Sequence, residues 1–244
     1  YAPTIKQNRF DHFTGIQVQN VSAGLVDIAI TFYGSRGACA GQTYTASYNN
    51  LAAGASHTFN QVAGKVNDGE LVDDCAATAI IEATGGNIVA TVNEVTTSAA
   101  LGLGAHHVAT TYSAFPDNST TMKISVPMYK ENRYDNYSGL MVQNVGTSQA
   151  TVNIQFIGVR GTAAGNTYTH VPVIINAGES YGLQRISEKA AAEWSGSIVP
   201  PTNSTFSVIV SSNRNAVSIV NEAAYPGSSL VIDENNYEGF NLVP

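Results

Sequence analysis

From Val26 to Phe32 apolar side chains occupy every second position: Val26, Ile28, Ile30 and Phe32. Side chains alternate between the two faces of a strand, so this spacing predicts a half-buried strand. The spacing returns at Ala150, Val152, Ile154 and Phe156. A shorter alternation runs through Ile16, Val18 and Asn20. Pro3 places the opening segment at a strand start or on a sheet edge. Residues 34–41 form a Gly-rich loop, 43–48 and 57–62 further strands around a turn at Ala53-Gly54, and 67–74 an acidic turn. Residues 78–83 and 88–94 predict a hairpin joined through Thr84-Gly85-Gly86, with 206–210 and 216–222 as its counterpart. Residues 107–115 supply the last strand before the connector. Residues 187–194 break the pattern: they are rich in helix formers and Ser187 suits an N-cap, predicting one short helix.

The alternation belongs to a longer recurrence. Residues 6–21, KQNRFDHFTGIQVQNV, return 124 positions later as KENRYDNYSGLMVQNV at 130–145. FYGSRG at 32–37 matches FIGVRG at 156–161, and Ala53-Gly54 matches Ala177-Gly178. The shift then drifts: Asn93-Glu94 matches Asn221-Glu222, and Tyr112 with Phe115 matches Tyr237 with Phe240. A unit of this length exceeds a solenoid repeat and suffices for a domain. The chain reads as all-β, two tandem domains from an internal duplication: 1–115, a connector at 116–124, and 125–244. Seven or eight short strands per copy predict a β-sandwich, since two facing sheets bury what one sheet leaves exposed.

Only 12% of residues are charged and the net charge is −7, without a basic cluster. That excludes a nucleic-acid binder, which needs grouped Lys and Arg. No run of about 18 apolar residues occurs, so no helical membrane span is expected. A start at Tyr1 rather than Met fits an exported chain whose leader has been removed. Asn20, Asn118, Asn136 and Asn203 stand in glycosylation sequons. Cys39 and Cys75 both lie in the first copy, and Ala163 occupies the Cys39 position of the second. The pair reads as one disulfide, contributing about 4 kcal/mol by loop-closure entropy, with two buried thiols as the alternative. Two cysteines cannot fill a zinc shell, so neither metal nor cofactor is expected.

The recurring polar residues are the candidates for chemistry: Lys6/Lys130, Asn8/Asn132, Arg9/Arg133, Asp11/Asp135, Gln19/Gln143, Asn20/Asn144, Arg36/Arg160, Asn93/Asn221 and Glu94/Glu222. Residues used twice in one chain point to a hydrogen-bonded frame, with Arg9 or Arg36 paired to Glu94 or Asp11. A sharper alternative is a Lys–Asn isopeptide cross-link, Lys6 to Asn93 and Lys130 to Asn221, assisted by the adjacent Glu94 or Glu222. The histidines His12, His57, His106, His107 and His170 do not recur, and each reads as a packing or surface residue. Asp68, Glu70, Asp73, Asp74, Asp233 and Glu234 lie in hydrophilic loops and read as solvated charge, with weak calcium binding as the alternative. No nucleophile elbow, zinc-protease, P-loop or dinucleotide motif is present, so no enzyme is expected.

The run Pro-x-x-Lys-x-Asn, then Gly-Ile/Leu-x-Val-Gln-Asn-Val, then Phe-x-Gly-x-Arg-Gly, resembles tandem Ig-like repeats of bacterial cell-surface proteins, notably those of filamentous thermophiles. The resemblance implies an exported, non-catalytic surface protein. Each copy opens on an extended segment, and the C-terminal Phe240, Leu242 and Val243 match the place where copy one hands over to copy two. This symmetry predicts head-to-tail homopolymerisation, with Tyr1, Ala2, Pro3, Thr4 and Ile5 adding a strand to a neighbour's second domain. The competing expectation is a monomeric adhesin for host-surface or glycan ligands, with Tyr44, Tyr48, Trp194 and Tyr225 as contact aromatics.

Overall fold

The structure is a computed structural model that describes residues 1–9, 11–61, 68–96, 109–224 and 235–241. Leu242, Val243, His106, His107, Tyr225, Asp233 and Glu234 lie outside the described residues. The chain is all-β and divides into two compact units, Tyr1–Pro116 and Asp117–Pro244.

Among its described residues the first unit holds eight strands: β1 (Ala2–Gln7), β2 (His12–Asn20), β3 (Val26–Gly37), β4 (Thr43–Leu51), β5 (Ser56–Asn60), β6 (Cys75–Thr84), β7 (Ile88–Thr96) and β8 (Ala109–Ser113). They form two antiparallel sheets, ordered β1-β6-β3-β4 and β5-β2-β7-β8. The predicted alternation on β3 is present: Val26, Ile28, Ile30 and Phe32 are at most 1% exposed. The expected hairpin at 78–94 is not. β6 pairs with β1 and β3, and β7 pairs with β2 and β8, so the turn at Gly85-Gly86 carries the chain from one sheet to the other. Two adjacent strands joined by a Gly turn satisfy the same local pattern whether they pair or part.

The second unit holds β9 (Thr121–Glu131), β10 (Asn136–Asn144), β11 (Ala150–Gly161), β12 (Thr167–Thr169), β13 (Val173–Ile175), β14 (Ser180–Gln184), β15 (Ser204–Ala224), β16 (Asn235–Glu238) and β17 (Phe240–Asn241). The expected connector thus ends earlier, because Thr121 already opens β9. The counterpart of β6 and β7 is the single 21-residue β15. Its first half pairs with β9 and β11, and its second half with β10 and β16. The core centres on Phe156, which meets Tyr129, Trp194 and Phe206 edge-on at 5.1, 5.7 and 5.8 Å between centroids.

The short helix expected at 187–194 is replaced by three-residue 3-10 turns at Ile186–Glu188, Ala191–Glu193 and Ser195–Ser197. Tertiary contacts override the helix propensity. The Glu131 carboxylate accepts from Ile186 N, Ser187 N and the Ser187 hydroxyl, which fixes the first turn to β9. Lys189 and Ala190 are extended, and Trp194, 2% exposed, bridges to His170.

Candidate functional site

The recurring polar residues form one frame built twice. In the first unit the Lys6 ammonium meets the Glu94 carboxylate at 2.5 Å, and His12 Nε2 lies 3.5 Å from the same oxygen. In the second unit Lys130 pairs with Glu222 in the same way. The strand leaving this pair is tied across to β2 or β10 by a hydroxyl: Lys6 N donates to Thr14 Oγ1, and Lys130 N to Ser138 Oγ at 2.9 Å. Both acids are inward-facing, with side chains 5% and 9% exposed. A buried pair adds little net energy, but removing one partner strands the other charge.

The expected pairings differ in detail. Glu94 takes Lys6 rather than an arginine, and Arg9 Nη1 reaches Asp74 at 2.6 Å rather than Asp11. Arg133 donates instead to the Asn203 carbonyl and side chain at 3.2 and 3.1 Å. Asn8, Asp11, Asn132 and Asp135 recur because the turn needs left-handed backbone, with φ of 47, 58, 46 and 56°. Arg36 and Arg160 follow an irregularity in the β3–β6 and β11–β15 registers. Each stands beside a glycine, Gly37 or Gly161, whose added Cβ would lie 1.9 or 2.0 Å from a facing carbonyl.

Asn93 is on the wrong face for a cross-link. Strand alternation turns it away from Glu94, and its amide oxygen accepts from Thr111 Oγ1 at 2.8 Å. Asn221 is turned away from Glu222 by the same alternation. The isopeptide alternative is therefore corrected: the lysines meet glutamates, and the asparagines lie on the opposite faces of their strands.

Asn20 and Asn144 also match. Each is fully buried, and its side-chain amide donates to two carbonyls, Gly24 and Leu51 or Ser148 and Ile175, at 2.7 to 3.0 Å. The Asn20 sequon is thus closed to glycosylation in the folded chain. Asn136 is half-buried and donates to the Tyr134 carbonyl, whereas Asn118 and Asn203 are exposed.

Cys39 and Cys75 form a disulfide. Among the described residues no group of three or more His, Cys, Asp or Glu is placed to hold a metal. Asp68 accepts from Asn60 N and lies 3.9 Å from His57, which stacks on Tyr48 at 3.9 Å between centroids. His170 is 2% exposed, with Nδ1 2.6 Å from the Val171 carbonyl and Nε2 3.3 Å from the Tyr181 hydroxyl. Trp194, offered as a contact aromatic, is a core residue instead. Burial raises the Glu131 carboxyl above the ordinary carboxylate range against the opposing pull of its Ser187 and Ile186 bonds. Burial also raises the Tyr129 and Tyr237 phenols, which stay neutral.

The predicted assembly residues are placed unequally. Ala2, Pro3, Thr4 and Ile5 are buried in β1, which pairs with β6 of its own unit. The Tyr1 ammonium donates to the Phe115 carbonyl at 2.7 Å, and Phe115 N returns a bond to the Tyr1 carbonyl at 2.9 Å. Phe240 pairs likewise with Ser125. Yet Phe115 is 6% exposed and Phe240 is 63% exposed.

One feature escaped the sequence reading. An open hollow of about 450 Å³ on the second unit is lined by Thr151, Asn153, Ser211, Ser212 and Asn213. Its residues stand apart in sequence, and only the pairing of β11 with β15 brings them together. No protein-family model matches the chain, and no curated protein is significantly similar to it.

Proposed function

We propose that this protein is an extracellular, non-enzymatic structural subunit of two Ig-like β-sandwiches that polymerises head-to-tail into a surface fibre. The observation that carries the reading is Phe240, bare at the place where its copy-one equivalent Phe115 is buried. A large exposed aromatic on a strand end suits a contact completed by another molecule. β17 covers β9 only at Ile124 and Ser125, which leaves most of that edge without a described strand partner. The duplicated frame supports the structural part: the polar residues most suited to chemistry are engaged in holding strand ends. The disulfide suits an oxidising compartment.

Strand addition by residues 1–5 has a consequence in this geometry. β1 must leave its own sheet, so the assembly is a strand exchange between subunits, slowed by the need to open the first unit. Deleting residues 1–5 and measuring sedimentation tests this directly. Loss of fast-sedimenting polymer is expected; polymer undiminished in the truncated chain defeats strand exchange.

A further inference from the structure

We infer that the hollow on the second unit binds a neutral oligosaccharide. Thr151 and Asn153 project from the outer face of β11, and Asn153 stands opposite Ser211 of β15. Ser212 and Asn213 close one end. All five lining residues are uncharged hydroxyl or amide side chains. The Thr151 and Ser211 hydroxyls each donate and accept, and the Asn153 amide presents both functions side by side, which is the complement that vicinal sugar hydroxyls require. Asn213 is held in place, since its amide oxygen accepts from Thr151 N at 2.8 Å. Ser212 Oγ accepts from Arg214 N at 3.1 Å, and Arg214 Nε donates to Ser148 Oγ at 2.8 Å, so the rim is braced too.

The first unit shows what the same scaffold carries without this lining. Register places Asp27, Ala29 and Glu82 where the second unit has Thr151, Asn153 and Ser211. Two carboxylates and a methyl stand where the second unit has two hydroxyls and an amide. A scaffold does not need that change, because β3–β6 and β11–β15 pair in the same register with either set. An extended peptide is the poorer occupant. It would seek main-chain partners, and β11 lies between β15 on one side and β12 and β13 on the other. Anionic ligands are disfavoured by the net charge of −7.

The inference stands apart from polymerisation and is tested separately. Saturation-transfer NMR reads the sugar's own signals, so it serves for polymer and monomer alike. Maltohexaose, cellohexaose and mannohexaose are mixed in turn with the full chain at millimolar concentration. Transfer to ring protons of at least one sugar is expected, in keeping with a shallow, low-affinity site. Asn153→Ala/Ser211→Glu, which installs the copy-one residues, should weaken binding about tenfold or more through lost hydrogen bonds. Circular dichroism confirms that the variant folds, and Thr151→Asp provides a second variant with the same expectation. No transfer to any of the three sugars, or equal transfer in the folded variants, overturns the inference.

Discussion

The two copies of this chain solve one structural problem with different bonds. In copy one, Cys39 and Cys75 join the loop after β3 to the start of β6 through a disulfide. In copy two the same two positions are Ala163 and Ser204, and Ala163 N donates to Ser204 Oγ at 3.0 Å. The surrounding backbone is alike: an added Cβ on Gly34 or Gly158 would lie 1.9 Å from the carbonyl of Cys39 or Ala163. The fold therefore specifies the contact, and the covalent bond is a local substitute for a hydrogen bond and its supporting core. Copy two adds the buried Trp194 to its core.

The largest way to break this comparison is to remove the disulfide. Cys39→Ala/Cys75→Ser should destabilise the first unit by about 4 kcal/mol, the loop-closure entropy of its 36-residue separation. Denaturant unfolding should show an earlier transition for one unit and an unchanged one for the other. Next comes the shared frame. Glu94→Ala and Glu222→Ala should each cost about 3 kcal/mol, because each leaves a lysine in a largely buried site. Equal losses in the two units would confirm equivalence of the frames; a loss confined to one would separate them. Conversely, Ala163→Cys/Ser204→Cys should close a second disulfide and stabilise copy two by about 2 kcal/mol, with thiol titration showing no free cysteine.

The smallest expected effect is a pH slope. Burial raises the folded-state pKa of Glu131, so the folded state holds its proton more tightly than the unfolded one. The contribution is full below the unfolded pKa and is lost as pH rises through the folded value. The second unit should thus lose stability over that window on the alkaline side of the ordinary carboxylate range. Glu131→Gln, which installs the residue that copy one carries as Gln7, should flatten the slope in a melting-temperature series.

Much of this was legible in the residues, for identifiable reasons. The duplication and the alternation on β3 and β11 are local patterns, and local patterns fix which face of a strand is buried. The cysteine pair was legible because its counterpart position had lost the thiol. Pairing was less legible: Thr84-Gly85-Gly86 has the chemistry of a hairpin turn, but the partner of each strand is chosen by core packing far away in sequence. The helix at 187–194 was misread because propensity favoured it, while Glu131 and His170, distant in sequence, drew the segment into 3-10 turns. Asn93 was misassigned for a simpler reason. It neighbours Glu94 in sequence, and on a strand that adjacency puts the two on opposite faces. The hollow at Asn153 and Ser211 was invisible because it exists only once β11 and β15 are in register.

The account turns on whether the bare Phe240 is an assembly contact. Negative-stain electron microscopy of the purified chain beside its Phe240→Ser variant decides this. Fibres from the unsubstituted chain, and short oligomers or single particles from the folded variant, are the predicted result. Discrete single particles from both, or fibres equally abundant in both, would contradict it.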